Sequence, residues 1–224
     1  MPSIARVVLA KAAYAAKRVA PGANRLLPKW MQRLILLHLL DVNRPYASFP
    51  QSASRRFLED QVLPWLRDAC PRILFVGAGS YTFHYEKIFT ADQAQFTTID
   101  SNPGCAVWGA RQHIVAPVQE IGRHRPAGSF DCVVLNGVFG YGVDDPAAMR
   151  DVIVATHGIL RSGGRLILGW NVGLHADPAQ AGVLGQDFVP DPSSPWGLRR
   201  TFAGETHVYD FYVRPQANLS ARSM

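Results

Sequence analysis

Two glycines and an aspartate are the residues of this sequence whose types and spacing point most directly to chemistry. The apolar run 73–76 ends in Gly77-Ala78-Gly79, and a second run, 96–99, ends in Asp100. Glycines after a strand let the backbone approach a ligand closely, and an acid about 20 residues farther on can accept hydrogen bonds from a ribose. The third glycine of the dinucleotide pattern is missing, since Tyr81 stands there. The pattern predicts a nucleotide-handling βαβ unit, with a tight ligand-free turn as the alternative.

The glycines and Asp100 can meet at one ligand only if strands and helices alternate along the chain, so that parallel strands end side by side. Strand-like runs recur at 73–76, 96–99, 113–116, 130–136 and 165–170. The segments between them include helix candidates at 106–112 and at 146–160, the second of which begins at Asp145-Pro146. Another helix, capped by Ser52 or Ser54, leads into the first strand. Strands separated by helix-length segments predict an α/β fold, with a mostly parallel, doubly wound sheet covered on both faces.

The C-terminal part of the chain has a different pattern. Residues 199–203 and 207–213 flank Gly204-Glu205, which predicts an antiparallel hairpin. The stretch 171–195 is rich in proline, glycine and aspartate and predicts a long irregular insertion. Loops of this length in compact domains often serve as functional lids.

Four segments together resemble the successive motifs of class I S-adenosylmethionine-dependent methyltransferases. They are residues 76–80, 99–100, 129–136 and 159–166, and the C-terminal hairpin agrees as well. The resemblance covers roughly residues 52–214. It implies a seven-stranded Rossmann-like sheet that is mostly parallel and carries a C-terminal antiparallel hairpin.

The resemblance also implies a set of cofactor-binding residues. The backbone of Gly77, Ala78, Gly79 and Ser80 would hold the methionyl part of S-adenosylmethionine, and Asp100, followed by Ser101, would take the ribose hydroxyls. The remaining residues implied are Pro117, Val118 and Gln119 around the adenine, and Asn136 and Gly137 along the far wall.

Three residues depart from the family's pattern. Phe75 stands where the family often has an acid two residues before its first glycine, and Tyr81 replaces the third glycine of the loop. Ala116-Pro117 stands where an acid often meets the adenine amino group. These departures keep open a non-catalytic relative, a binding or scaffold protein that retained the fold and lost the cofactor.

Methyl transfer needs mainly alignment of the reactants, with a base where the acceptor must lose a proton. The sequence contains no compact catalytic motif, so the catalytic residues stay unknown. Weak candidates for a proton acceptor are Tyr141, His84, His175 and Asp187. Tyr141 lies between two glycines just past the fourth strand, where a parallel sheet places its ligand, and is the preferred substrate-facing aromatic.

The three cysteines are widely spaced, which indicates free thiols in a reducing, cytoplasmic compartment. The seven histidines show no metal-ligand spacing, and no metal is predicted. Nucleic acid is disfavoured as a partner because the basic charge is confined to the N-terminal segment. Seven Lys or Arg residues and no acid precede Asp41, and the remaining 16 basic residues nearly balance 17 acids.

Residues 1–50 form a predicted basic, helical extension, followed by a methyltransferase-like domain over 51–215 and a flexible tail over 216–224. Spaced at 100° per residue, apolar side chains in the first 20 residues fall on one side of a helix and basic ones on the other. Such a helix can lie on an anionic membrane surface or dock as a cap over the domain. Peripheral membrane contact and an oligomer both stay open.

The sequence therefore predicts a methyltransferase that uses S-adenosylmethionine and acts on a small-molecule or lipid-linked acceptor. The alternative from another class is the non-catalytic scaffold protein. A third hypothesis, an NAD(P)-dependent oxidoreductase, rests on the same residues, Gly77, Gly79 and Asp100.

Overall fold

A computed structural model describes residues 52–79, 81–82, 84–89 and 94–216 of the chain. The predictions for the N-terminal extension, for Ser80 and for most of the tail fall outside these residues.

One sheet organises the described residues. Its eight strands are β1 Arg72–Val76, β2 Gln95–Asp100, β3 Gln112–Val115, β4 Phe130–Asn136, β5 Leu160–Asn171, β6 Val189–Pro190, β7 Arg199–Thr201 and β8 His207–Val213. The strand order is β3-β2-β1-β4-β5-β8-β6, and β7 pairs with β8 beside β6. The first five strands run parallel, whereas β8 is antiparallel to β5. Because β6 and β7 share the outer edge of β8, the sheet has seven positions across its width, and the predicted fold class is confirmed.

Two of the three described α-helices begin at the expected capping residues. The α-helices are α1 Ala53–Phe57, α2 Leu63–Ala69 and α3 Pro146–Ile159, and a π-helical turn, Leu58–Val62, joins α1 to α2. Ser52 Oγ accepts a hydrogen bond from the Arg55 amide, and Asp145 Oδ1 accepts one from the Ala148 amide. Pro146 occupies the first turn of α3, where its missing N–H costs nothing.

The side chains of β1 alternate between two hydrophobic cores, one on each face of the sheet. Ile73 and Phe75 pack with the α1–α2 segment, whereas Leu74 and Val76 pack with α3. A strand that is buried on both faces must be apolar throughout, as residues 73–76 are. The chain leaves the core at Gly77, directly after the carboxyl end of β1.

Two local predictions differ from the structure. Residues 106–112 do not form an α-helix: a 3₁₀-helix, Pro103–Val107, is followed by a turn, and Gln112 already belongs to β3. A Cβ at Gly109 would overlap the ring of His113, so this close turn, and not a helix, leads into β3. The fifth strand begins earlier than the run 165–170 predicted: β5 starts at Leu160 and includes Gly163 and Gly164, and its register with β4 shifts between Phe130 and Cys132.

A buried aspartate ties the amino ends of three strands together. Asp131 of β4 accepts hydrogen bonds from Arg72 of β1, at 2.9 Å, and from Arg161 of β5, at 2.5 Å. Burial alone would raise the pKa of Asp131, but the two guanidinium groups outweigh it and lower this pKa. This cluster of Asp131, Arg72 and Arg161, which we call the clamp, lies at the edge of the sheet opposite to the candidate site.

Candidate functional site

The predicted site residues follow the carboxyl ends of four neighbouring strands. Gly77 follows β1, Asp100 ends β2, Pro117 comes after β3 and Asn136 ends β4. Because these strands are parallel, their carboxyl ends lie along one edge of the sheet, which is where open α/β sheets bind ligands.

Asp100 is tied to the glycine turn through backbone hydrogen bonds. Its Oδ2 accepts from the Ala78 amide at 2.8 Å, and its Oδ1 accepts from the Asn102 amide at 2.7 Å. Gly77 has a φ of +90°, which favours glycine, and its amide donates to the Ile99 carbonyl. A carboxylate has about four lone-pair sites, so Asp100 can accept further hydrogen bonds while its position is fixed.

Tyr81, the residue in place of the third glycine, packs on the turn itself. A Cβ at Gly79 would overlap the Tyr81 ring, and Thr82 Oγ1 accepts a hydrogen bond from the Gly79 amide. The guanidinium of Arg55, on α1, lies 4.3 Å from the centre of the Tyr81 ring. Within the described part of the following segment the chain forms a short 3₁₀-helix, Tyr85–Lys87. The turn is therefore braced by an aromatic ring and a cation.

The turn after β3 lies next to Asp100, because the Ala116 amide donates to the Asp100 carbonyl. Pro117 and Gln119 are exposed and can reach a ligand with their side chains. Val118 is buried in the α3-side core, so its side chain contributes packing. Ser101 is exposed beside Asp100.

Beyond Asn136, four polar side chains form what we call the Asn–His–Asn–Tyr network. His207 Nε2 lies 3.1 Å from Asn136 Oδ1, and His207 Nδ1 lies 2.9 Å from Asn171 Oδ1. Asn171 Nδ2 donates to the hydroxyl of Tyr141 at 2.9 Å. Gly137 has a φ of +68° and turns the chain towards Tyr141. The network joins the ends of β4 and β5 to the first residue of β8.

The imidazole of His207 is neutral at neutral pH. Burial lowers the pKa of His207 to about 4; the nearby Arg55 also lowers it, and Glu205 opposes both. Glu205 accepts hydrogen bonds from the Ala53 and Ser54 amides at the start of α1, so the β7–β8 turn is attached to that helix. A neutral imidazole has one N–H, and one of the two amides must therefore present its NH₂ group to the ring.

His207, Asn171 and Arg55 are absent from the residues that the sequence suggested. Asn136 and Asn171 end neighbouring strands, but the pairing of Asn171 with His207 depends on the β5–β8 register. Knowing that register would have identified Asn171 and His207 as neighbours, but the spacing of the hairpin in the sequence does not determine it.

Three of the suggested proton acceptors have partners elsewhere. His84 Nε2 lies 3.6 Å from the buried Glu59 of the π-helical turn, and Asp187 forms an ion pair with Arg150 at 2.6 Å. His175 Nδ1 lies 2.7 Å from its neighbour's carbonyl, with the ring next to Trp170. Of the four, only Tyr141 belongs to the network.

In the part of the chain that the structure describes, no group of histidine, cysteine or acidic side chains is arranged to hold a metal ion. The described helices also include none with the length and apolar content needed to cross a bilayer.

Comparisons with known proteins show the fold. No protein-family model matches the chain, and no curated protein matches it in sequence. N-methyltransferase NodS from Bradyrhizobium japonicum WM9, in complex with S-adenosyl-L-homocysteine, matches with a TM-score of 0.56 at 16% identity, over 83% of this chain and 99% of that one. The PH0226 protein from Pyrococcus horikoshii OT3 matches with a TM-score of 0.55 at 12% identity, over 78% of this chain and 99% of that one.

A third match is 1,6-didemethyltoxoflavin-N1-methyltransferase from Burkholderia thailandensis, with its namesake compound and S-adenosylhomocysteine bound. Its TM-score is 0.50 at 19% identity, over 70% of this chain and 78% of that one. The chain therefore has the fold of the class I S-adenosylmethionine-dependent methyltransferases, and the resemblance found in the sequence is confirmed at the level of the fold.

Proposed function

We propose that this protein is a methyltransferase that uses S-adenosylmethionine to methylate a small-molecule or lipid-linked acceptor. The observation that carries the proposal is the attachment of Asp100 to the Gly77–Gly79 turn through the Ala78 amide, at 2.8 Å. It fixes a carboxylate for two ribose hydroxyls beside a turn that a ligand can approach closely. The solved structures bound to S-adenosylhomocysteine share this fold and support the proposal.

The residues present fit the cofactor. A Cβ at Gly77 would point towards the Asn136 carbonyl, 3.7 Å away, so the glycine leaves space between the ends of β1 and β4. Arg55 Nη1 is buried; it has no hydrogen-bond partner among the described residues and lies 4.0 Å from Glu59 Oε1, at the outer limit of an ion pair. It is stacked on Tyr81 at the same turn and can neutralise the carboxylate of the methionyl part.

Phe75 explains one departure from the family's pattern. Its side chain is buried against Tyr85 and Phe96, on the α1–α2 face of the sheet. The position therefore contributes packing, and the cofactor's ammonium group must find its acceptors among backbone carbonyls near the glycine turn.

The cofactor, when bound, supplies a methyl group that is already electrophilic. The protein's remaining task is to align the acceptor with that methyl group and to keep competing groups away. The Asn–His–Asn–Tyr network lies beside the proposed cofactor site, at the ends of β4 and β5, and is suited to hold the acceptor.

Isothermal titration calorimetry with S-adenosylhomocysteine and, separately, with NADH tests the proposal. We expect the full-length protein to bind S-adenosylhomocysteine and to leave NADH unbound. No binding of S-adenosylhomocysteine at millimolar concentration would overturn the proposal in favour of the scaffold protein. Binding of NADH alone would favour the oxidoreductase.

A further inference from the structure

Apolar side chains continue the edge that the Asn–His–Asn–Tyr network begins. Tyr141 is 63% exposed, Val172 54% and Leu174 52%, and all three follow the carboxyl ends of β4 or β5. A Cβ at Gly140 would overlap Leu174, so the loops after β4 and β5 lie against each other. The exposed apolar surface and the polar network therefore belong to one wall.

That wall carries no formal charge. Its polar groups are two amides, a phenol, the imidazole of His207, which burial keeps neutral, and the imidazole of His175, whose Nδ1 lies 2.7 Å from the Ala176 carbonyl. Two charged groups face His207. Glu205 accepts from the Ala53 and Ser54 amides, and Arg55, which stacks on Tyr81 with Nη1 4.0 Å from Glu59 Oε1, is the residue proposed for the cofactor's carboxylate. A carboxylate, phosphate or ammonium group placed against this wall would lose water without gaining a counter-charge, which is unfavourable.

The orientation of the hydrogen bonds also has a consequence for a ligand. With Asn136 as the amide that presents its NH₂ group to the neutral ring, Asn171 keeps its Oδ1 towards His207 and its Nδ2 donates to the Tyr141 hydroxyl. That hydroxyl then keeps its own proton for a further partner. Asn171 can hold this orientation only if its Oδ1 is satisfied, and His207 Nδ1 lies 2.9 Å from it. The imidazole therefore determines which way the amide faces and what Tyr141 offers to a ligand.

We propose that the methyl acceptor is an uncharged molecule with an apolar, aromatic-sized body and a hydroxyl or neutral N–H group, and that His207 is the positioning residue that orients the side chains which bind it. This inference rests on the proposed function and names the substrate class of the same site. The apolar body lies on Tyr141, Val172 and Leu174, and the polar group meets the network.

Three ligands that share one apolar body test the preference for a neutral group. They are 2-naphthol, 2-naphthoate and 2-naphthylmethylammonium, each titrated by calorimetry into full-length protein saturated with S-adenosylhomocysteine. We expect 2-naphthol to bind at least about tenfold more tightly than either charged ligand, because only it avoids an unpaired charge on the wall. Equal or tighter binding of a charged ligand, or no binding of 2-naphthol, overturns the inference.

Variants of His207 test its role. His207→Ala should weaken 2-naphthol by about tenfold and S-adenosylhomocysteine by clearly less, whereas His207→Gln, which can meet both amides, should recover part of the loss. The matched control is His124→Ala, at an exposed position directly after the 3₁₀-helix Val118–Arg123, which should change neither affinity. If His207→Ala binds 2-naphthol as the wild type does, the positioning role is wrong.

A spectroscopic readout separates positioning from mere packing. In ¹⁵N-histidine spectra, Asn171→Ala should shift Nδ1 of His207 and leave the other histidines in place. Unchanged His207 signals would show that His207 does not orient the Asn171 amide. S-adenosylhomocysteine binding is measured in the same samples, so the two proposals can fail separately. If S-adenosylhomocysteine does not bind, the proposed function is wrong. If it binds but 2-naphthol binds no more tightly than the charged ligands, only the acceptor inference is wrong.

Discussion

Asn171 and His207 face each other across the antiparallel β5–β8 pair, and His207 Nδ1 lies 2.9 Å from Asn171 Oδ1. The strand that runs against the others is what makes this contact possible. Because β8 is antiparallel, its first residue lies at the carboxyl end of β5, within hydrogen-bonding distance of Asn136 at the end of β4. The C-terminal hairpin thereby places an imidazole at the edge of the sheet where parallel strands bind ligands.

The burial of His207 should make stability depend on pH. Its pKa is about 4 in the folded protein, below the ordinary value of 6.5, so the unfolded chain takes up a proton first as pH falls. The free energy of unfolding should therefore decrease between about pH 6.5 and pH 4, by about 2 kcal/mol once partial exposure of the ring is allowed for. Urea unfolding at a series of pH values measures this.

His207→Gln should flatten that pH dependence, because glutamine does not titrate. His124→Gln, at an exposed position, should keep the wild-type slope. A wild-type protein whose stability is constant over this range would contradict the neutral, buried imidazole.

Asp100 should control cofactor affinity. Asp100→Ala removes a charged acceptor for the ribose hydroxyls and should weaken S-adenosylhomocysteine by about 1–3 kcal/mol in calorimetry. The same change frees the Ala78 and Asn102 amides, so Asp100→Asn is the matched variant, which keeps one oxygen acceptor and should lose less. Unchanged affinity in both variants would show that the ribose is not held at this carboxylate.

Asp131 should matter for stability and not for binding. Asp131→Asn weakens the contacts to Arg72 and Arg161 at the opposite edge of the sheet, and should lower the free energy of unfolding by about 1–3 kcal/mol at pH 7. Since the pKa of Asp131 lies below 3.8, its stabilisation is complete above that pH and is lost as pH falls through the folded-state pKa.

The difference between wild type and Asp131→Asn should therefore narrow in strong acid, as chemical denaturation at pH 2–3 would measure. Asp68→Asn is the control, because the Arg67–Asp68 pair is a surface contact that should contribute no measurable stability. An Asp131→Asn protein as stable as the wild type would show that the clamp contributes nothing.

Gly169 should tolerate no side chain. A Cβ there would overlap Asn136 Oδ1 and approach Tyr209 Cε1 to 2.9 Å, so Gly169→Ala should displace Asn136 and destabilise the protein by about 1–3 kcal/mol. Gly158→Ala is the control: it lies in α3 with no atom within 4 Å of its Cβ, and alanine there should stabilise the helix. Thermal unfolding should show a lower midpoint for Gly169→Ala and a higher one for Gly158→Ala; equal midpoints for Gly169→Ala and the wild type would contradict the prediction.

Local patterns predicted the elements that position the site. The runs at 73–76 and 96–99 lie within β1 and β2, and 130–136 is β4 without a shift. These strands are buried on both faces, and a continuous apolar run is the pattern that such burial requires. The predicted helix at 106–112 was wrong because this turn is held by Thr98 of β2, whose Oγ1 accepts from the Ala110 amide and lies 2.8 Å from His113 Nδ1, a contact between distant residues that the local pattern does not show.

The polar network could not be predicted in the same way. Asn136 and His207 are 71 residues apart, and they meet only because β4, β5 and β8 are adjacent with a particular register. His84 and Asp187 looked like candidates because a sequence does not reveal their partners, Glu59 and Arg150. The sequence thus predicted groups that lie at strand ends and missed those that depend on pairing between distant strands.

The last prediction concerns the seven basic residues before Asp41. If the apolar side of the predicted helix is free, each charge near an anionic surface contributes roughly 1 kcal/mol of attraction, and the protein should sediment with anionic vesicles and be released by salt. We expect the other outcome, a cap, because Leu34–Leu40 continue the apolar character of the segment and need burial.

Deletion of residues 1–22 distinguishes the two. A cap predicts no vesicle binding by the intact protein, and a deletion variant that loses thermal stability or binding of 2-naphthol. The control is a full-length variant with Lys11, Lys17 and Arg18 changed to glutamine, which removes charge and keeps the apolar side. It should lose vesicle binding if the helix lies on a membrane, and it should resemble the wild type in stability if the helix is a cap. Salt-sensitive sedimentation together with a stable, ligand-binding deletion variant would establish membrane attachment, because only a helix outside the core can be removed without cost to the fold.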